Sequence, residues 1–481
     1  MLPQFKSYAR SIPLAQAEPN QAGPSQAGPN QAGPLAQAPS PAQPKVTLFP
    51  FYRPTDLAAL YNFPKTYQPT GGVSRALNGE GKTIGIIQLG GSYLNTDLIS
   101  CFGAGKVPNF VPYMYNVSTG LFDAGLPTYD SNDGANSEVA LDMQIIGALV
   151  PKATIKIYFG YNPVTNDQYF YEAIQKAIQD NCSVISISWG NQESTLALYE
   201  PYYTQMNALF QTATTGSKKI TIVAAAGDHG SSDESGCNIL TAKADYPASS
   251  QFVLACGGTT LLADRITKKL VSEVVWNNNN GWATGGGISE LFAKPSWQPD
   301  NKYFGATAQV KRGLPDVSGH ADPRNIPYAI YLNGRVIGMG GTSAVSPLYA
   351  SLALLLCQAK GSNVGLLQPL IYKNMLTVCR DITSGHNDTT MNGKIDYVAG
   401  KGWDACSGCG ALNGVALLNS LLPKVTPKVT SAKKAAPAKA APAKAAPAKA
   451  APAKAAPAKK IITIVSTTGV INKLFSNSWK K

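Results

Sequence analysis

Short, nearly continuous apolar runs recur along the middle of the chain, and each ends among glycine, serine or aspartate. They cover residues 82–89, 153–158, 183–188 and 219–226. A strand that is apolar at almost every position has both faces buried, so it belongs inside a sheet covered on two sides. Between the runs, residues 137–149 and 169–179 carry apolar side chains at three- and four-residue spacing, which predicts helices. Strands alternating with helices argue for an α/β fold, a parallel sheet with helices on both faces. Such folds hold their sites at the carboxyl ends of the strands, so functional residues are expected just after these runs.

The two ends of the 481-residue chain do not share this pattern. Residues 14–44 carry a five-residue period, as in Gln21-Ala22-Gly23-Pro24, and residues 435–459 repeat Ala-Ala-Pro-Ala-Lys. Neither has enough large apolar side chains to offset its own ordering entropy, so residues 1–45 and 424–481 are read as disordered arms. That leaves residues 46–423 as one large folded unit. The net charge of +13 suggests a nucleic-acid binder until it is located. Residues 424–481 contain 13 lysines and no Asp, Glu or Arg, so the rest of the chain is close to neutral. The tail either attracts nucleic acid or another polyanion, or serves as a solubilising spacer.

Eight cysteines do not settle the compartment in a chain of this size. Cys406 and Cys409 form a lone C-x-x-C pair without a second pair at zinc-site spacing, so packing or a disulfide is the plainer reading than a metal or redox role. No apolar run follows a basic amino-terminal stretch, so no secretory signal is recognised. No run of about 18 apolar residues is found, so no membrane span is expected.

Ser343 follows Gly340-Gly341-Thr342 and precedes the apolar run Leu348–Leu356. A serine in the first turn of a helix sits near the positive end of its dipole, which suits a nucleophile and an oxyanion. An ordinary helix cap explains the same residues equally well. A nucleophilic serine needs a base, and the three histidines His229, His320 and His386 lie in no recognisable triad motif. Carboxylates offer another partner. Glu138 and Asp142 are spaced i, i+4 on one helix face, where like charges repel. They are a solvated acidic face, or, set among Val139, Ala140, Leu141, Met143, Ile145 and Ile146, a pair that cannot readily ionise twice and so keeps one proton. Asp228 directly follows the run at 219–226. It is a turn residue, or an acid that donates a hydrogen bond to a developing oxyanion.

Taken together, these stretches resemble the sedolisin family of serine-carboxyl peptidases, relatives of subtilisin. The resemblance rests, in order, on Ser137-Glu138-Val139-Ala140-Leu141-Asp142, Ser186-Ile187-Ser188-Trp189-Gly190, Ala225-Ala226-Gly227-Asp228, Gly285-Gly286-Gly287-Ile288-Ser289, Arg312-Gly313-Leu314-Pro315-Asp316-Val317-Ser318 and Gly340-Gly341-Thr342-Ser343-Ala344-Val345-Ser346-Pro347. It spans about residues 50–420. It implies a subtilisin-like fold and a serine-type endopeptidase, with tripeptidyl-peptidase action as a variant. Glu138 would be the base for Ser343, Asp142 would orient Glu138, and Asp228 would stand in the oxyanion hole where subtilisin uses Asn. Ser188, Trp189 and Gly190, with Gly285, Gly286 and Gly287, would pair with the substrate backbone as an added strand. The resemblance also implies one Ca²⁺, held by Asp381 and Asp404 and by the carbonyls of Ile382, Gly400 and Gly402, an all-oxygen shell. Protein or peptide substrates, a monomeric peptidase domain and an acid optimum below about pH 5 are further implications. The family suggests a secreted or acidic compartment.

The chain departs from the family in three ways. Only about 45 low-complexity residues precede the enzyme-like core, where relatives carry a long prodomain. Both arms are additions to the plan. His229 follows Asp228 where Ser is common, and an imidazolium there would favour an ionised Asp228. These departures motivate the competing reading of a catalytically silent structural or packaging protein that keeps the peptidase fold.

Overall fold

A computed structural model of the protein describes residues 6–7, 9–12, 46–69, 72–116, 118–160, 169–194, 199–234, 241–300, 310–389 and 397–422. Contacts divide the chain into Met1–Val425 and Thr426–Lys481, and all the described residues belong to the first unit. The reading of residues 424–481 lies outside them.

Two short strands open the chain, β1 (Lys6–Ser7) and β2 (Arg10–Ile12). The elements that build the body come next: β3 (Thr83–Gln88), β4 (Asn109–Asn116), β5 (Leu121–Ala124), α1 (Asn136–Leu149), β6 (Thr154–Phe159), α2 (Phe170–Gln179), β7 (Val184–Ile187) and β8 (Trp189–Gln192). After them come α3 (Glu200–Thr215), β9 (Thr221–Ala225), β10 (Asp245–Tyr246), β11 (Leu254–Ala263), β12 (Leu270–Val275), β13 (Gly287–Ala293), β14 (Lys311–Leu314), β15 (Val317–His320), β16 (Tyr328–Leu332), β17 (Arg335–Gly340) and α4 (Thr342–Lys360). The four apolar runs and the two helical patterns of the sequence thus become β3, β6, β7, β9, α1 and α2.

The central sheet has nine strands in the order β12-β11-β9-β7-β3-β6-β4-β5, with β15 also paired to β11. β7 lies parallel to both β3 and β9, with Ser186 opposite Ile86 and Val223. β6 is parallel to β3 and β4, and β11 to β9 and β15. Only β12 and β5 run antiparallel to their neighbours. Every residue of β7 and β9 is buried, as a strand covered on both faces requires. One face carries α1 and α4 over a core that includes Val139, Val184, Val223 and Leu348. The other carries α2 and α3, through Phe170, Ile174, Met206 and Phe210. This is the expected subtilisin-like α/β architecture.

Helix α4 is the sheet's central cover. Residues Thr342 through Cys357 are all buried. Its composition is apolar enough to cross a membrane, but 89% of that window is packed inside the protein, which marks it as a core helix. Gly341 precedes it at φ +95°, a left-handed backbone that a side chain would strain.

The beginning of the chain departs from expectation. Within the amino-terminal arm, which composition reads as disordered, β1 pairs antiparallel with β8 and β2 antiparallel with β17. These residues order by adding strands to existing sheet edges and by ion pairing, neither of which composition reveals.

Candidate active site

The carboxyl ends of β3, β7 and β9 and the first turns of α1 and α4 converge on one point. α1 begins two residues before Glu138, α4 one residue before Ser343, and Asp228 lies three residues past β9. Ser343, Glu138, Asp142 and Asp228 all have 0% exposed surface.

Ser343 Oγ donates to Glu138 Oε2 at 2.9 Å, with the Ser188 carbonyl as a second acceptor at 3.3 Å. The residues expected to be nucleophile and base are therefore in direct contact. Asp142 lies one turn further along α1, on the same face. Its Oδ1 accepts from Ser188 Oγ at 2.8 Å and its Oδ2 from Gln88 Nε2 at 2.8 Å. Trp189 Nε1 donates to Gln88 Oε1 at 3.0 Å and holds that amide in place. The solvated acidic face is thus ruled out: the pair is fully enclosed. Burial pushes Glu138 up to about 7, against the hydrogen bonds it accepts. Asp142 is raised well above the ordinary carboxylate range, first by burial and then by the charge of Glu138. Two such groups titrate together, and the pair keeps a proton that neither would keep alone.

On the other side of Ser343, Asp228 Oδ1 accepts from Thr342 N and Thr342 Oγ1, both at 2.8 Å. The Thr342 hydroxyl also lies 3.1 Å from the Gly227 carbonyl, so the residue before Ser343 ties the end of β9 to α4. Asp228 Oδ2 accepts from Arg10 Nε at 3.1 Å. Burial raises Asp228 to about 6, opposed by the Arg10 charge.

The concern over His229 is resolved differently from the expectation. Burial and the charges of Arg10 and Lys6 depress it to about 3, so its ring is neutral near pH 7. Its Nε2 lies 3.4 Å from the Arg10 guanidinium. The cation acting on Asp228 is Arg10, which sequence reasoning places in an unstructured arm. Gln88 and Thr342 are also missed by the sequence. Gln88 has one available signal, as the lone polar residue near the end of an apolar run.

The two stretches expected to meet substrate differ. Gly190 and Trp189 lie on β8, whose edge pairs with Lys6 and Ser7. Ser188 is not an edge residue in the same sense, because its hydroxyl and carbonyl serve Asp142 and Ser343. Gly285 N–H is taken by the Gly227 carbonyl at 2.7 Å, and Gly287 pairs with Leu314. Gly285 thus braces the turn before Asp228, while Gly286 lies against Ala405 and Pro315. The Arg312–Ser318 stretch holds a fully buried ion pair, Arg312 to Asp316 at 2.7 Å, which Tyr372 extends.

At the expected calcium loop, Asp404 Oδ2 accepts from Gly400 N at 3.0 Å and Asp381 Oδ2 from Gly402 N at 2.9 Å. Asp404 Oδ1 accepts from Ser407 N at 2.8 Å and Ser407 Oγ at 2.9 Å. Asp381 Oδ1 is out of contact with solvent and has no hydrogen-bond partner. Among the described residues no three His, Cys, Asp or Glu side chains gather as a metal site, and the expected shell has only two carboxylates. Cys406 Sγ donates to Asp404 Oδ1 at 3.2 Å, in keeping with a packing role.

Residues 120–378 match the subtilase family. The chain belongs to that family. It is 39% identical over 384 residues to kumamolisin of Bacillus sp. (strain MN-32), covering 78% of this chain and 64% of the relative. It is 29% identical over 388 residues to sedolisin of Pseudomonas sp. (strain 101), covering 75% of this chain and 60% of the relative. The chain thus spans somewhat under two thirds of the length of these family members. Among solved structures, Pseudomonas sedolisin, a serine-carboxyl proteinase complexed with two molecules of pseudo-iodotyrostatin, superposes with a TM-score of 0.64 at 26% identity. That match covers 76% of this chain and 97% of the other. The family and fold expected from the motifs are borne out, and the sedolisin of the solved structure is a serine-carboxyl proteinase.

Proposed function

We propose that residues 46–423 form a serine-carboxyl peptidase domain that hydrolyses peptide bonds through an acyl-enzyme on Ser343. The observation that carries this reading is the 2.9 Å contact between Ser343 Oγ and Glu138 Oε2, flanked by two further buried carboxyls. Glu138 takes the Ser343 proton as the oxygen attacks the scissile carbonyl. Asp142 shares one proton with Glu138, so attack builds no second bare charge in the pocket. Glu138 Oε1, buried and without a partner among the heavy-atom donors, is the natural acceptor for that proton. Asp228, once protonated, donates from Oδ2 to the oxyanion, while Thr342 fixes Oδ1. Glu138 returns its proton to the leaving amine, and water then repeats the cycle on the ester. Substrate adds as a strand along Trp189 and Gly190. The reaction needs Asp228 protonated and the Glu138–Asp142 pair singly protonated, which places the active window on the acid side.

Calcium at the 381–404 loop belongs to the same reading. The orphaned Asp381 Oδ1 supports it, because a buried carboxylate oxygen without a donor suits a hard cation. The cation would contribute stability by clamping the loop. The lysines of residues 424–481 would attract polyanions, and deleting them should abolish salt-sensitive retention on nucleic acid.

The deciding experiment is labelling with a fluorophosphonate probe across pH 3–8, with mass spectrometry of a protein digest. Labelling at Ser343 that disappears in Ser343→Ala, together with peptide products, supports the reading. A folded protein that neither labels nor cleaves at any pH overturns it.

A further inference from the structure

Away from Ser343, the last part of the domain brings two cysteines together. Strand β18 (Cys379–Arg380) pairs antiparallel with β19 (Ala411–Leu412), with Cys379 opposite Leu412 and Arg380 opposite Ala411. The two backbones approach closely. Gly410 has φ +89°, and a Cβ there would come within 2.1 Å of the Arg380 carbonyl oxygen. On the other side of Cys379, Asn413 N donates to the Val378 carbonyl at 2.7 Å. Cys409 N donates to the Asp316 carbonyl at 2.8 Å, which fixes the residue that leads into β19.

Cys409 is part of the buried core, and Cys379 packs against that core. Burial and then the Cys379 sulfur push the Cys409 thiol up, so the two sulfurs act on each other directly. The C-x-x-C spacing would pair Cys409 with Cys406 instead. The Cys406 thiol, however, is engaged with Asp404. Cys379 and Cys409 bracket a segment that holds much of the domain's end in place. Arg380 ion-pairs with Glu273, Asp381 Oδ2 accepts from Gly402 N, and Asp404 Oδ2 accepts from Gly400 N.

We propose that Cys379 and Cys409 are a redox pair, which closes as a disulfide across β18 and β19 and clamps the 380–408 segment between them. Cys379 is half-buried and Cys409 buried, so an oxidant from solution meets Cys379 first. The oxidant is a small-molecule disulfide of the glutathione kind. The Cys379 thiolate attacks one of its sulfurs, the S–S bond breaks, one thiolate leaves, and a mixed disulfide remains on Cys379. The Cys409 thiolate then attacks Cys379 Sγ and expels the second thiolate. The two cysteines together give up two protons and two electrons, and the oxidant is reduced to two thiols. The cross-link removes conformations from the opened segment, so the closed loop gains weight.

The test uses the full chain, equilibrated with oxidised glutathione, blocked with N-ethylmaleimide and digested with trypsin without reduction. Mass spectrometry should find residues 374–380 joined to residues 402–424, with fragmentation placing the link at Cys409. Dithiothreitol and Cys379→Ser should each abolish the joined pair. Glutathione left on Cys379 with no internal link, or a link placed at Cys406, overturns the proposal. Hydrogen exchange of the same samples tests the clamp. Oxidation should slow exchange of the Gly400 and Gly402 amides at least about threefold, with no such change in Cys379→Ser. Equal exchange in the linked and reduced chains overturns the clamp. If Cys379→Ser does not fold, the oxidised and reduced forms of the unaltered chain decide both points. Neither readout depends on peptide cleavage, so the pair and the peptidase reading stand or fall separately.

Discussion

Two carboxyl centres flank Ser343, equally buried yet differently furnished. Glu138 has another acid, Asp142, one turn along the same helix, and the hydrogen bonds these two carboxyls accept come from neutral donors. At Asp228 the neighbour is a guanidinium. Burial raises both, but the sign of the neighbour separates them: the first centre keeps a proton in common, whereas the second is drawn toward the charged form. The lesson is that burial alone does not assign acid and base. The fixed neighbour Asp142 is part of the body, so the surroundings of Glu138 are permanent. Arg10 belongs to a short strand at a sheet edge, so the surroundings of Asp228 depend on where that strand is.

The largest effects test whether the two centres act on one nucleophile. Ser343→Ala should lower kcat by about 10⁴-fold or more, and adding Glu138→Gln should cost little beyond that, because residues acting as a unit are non-additive. If the double variant multiplies the single losses, Glu138 is not the base. Next in size, Asp228→Ala should lower kcat about 10²- to 10³-fold with KM little changed, the mark of a group that acts only on the oxyanion. A pure rise in KM would reassign it to binding.

A smaller effect separates the neighbours. Arg10 favours the Asp228 carboxylate, so Arg10→Ala should raise the proton affinity of Asp228. The alkaline limb of kcat/KM should then move up by about one pH unit. A limb that stays in place would mean the arginine does not govern the acid.

Stability should also report the burial. Glu138, Asp142 and Asp228 bind protons more tightly folded than unfolded, so between the ordinary carboxylate range and about pH 7 the native state holds more protons. The unfolding free energy therefore falls as pH rises through that window, and Tm should be higher at about pH 5 than at about pH 7.5. In Glu138→Gln this slope should flatten, as followed by calorimetry. The smallest effect concerns the loop far from both centres. Chelation should lower Tm, and Asp381→Ala should abolish the change; at a calcium concentration roughly 100 times Kd the ion would contribute about 2.7 kcal/mol.

Much of this is legible in the chain alone. Runs such as 183–188 and 219–226 announce a covered parallel sheet because nearly every position is apolar or small, and the sheet then dictates that Asp228 sits at a carboxyl end. The i, i+4 spacing of Glu138 and Asp142 is likewise local. The hidden contacts are long-range. Gln88 meets Asp142 54 residues away, and Arg10 meets Asp228 218 residues away, so no local period carries either contact. The arm's composition argues that it builds no core of its own, and residues 13–45 lie outside the described residues. It does not reveal that a few of its residues borrow edges from β8 and β17.

Helix α4 has a consequence for how the protein would age and fail. Its peptide hydrogens past the first turn are shielded on all sides, so they should exchange with solvent only when the whole domain opens, among the slowest in the molecule. The position of Ser343 is then as durable as the fold itself. Heating would not yield a folded molecule with a displaced Ser343: each molecule keeps that residue in register until it unfolds, and loss of function would track loss of the native population one for one.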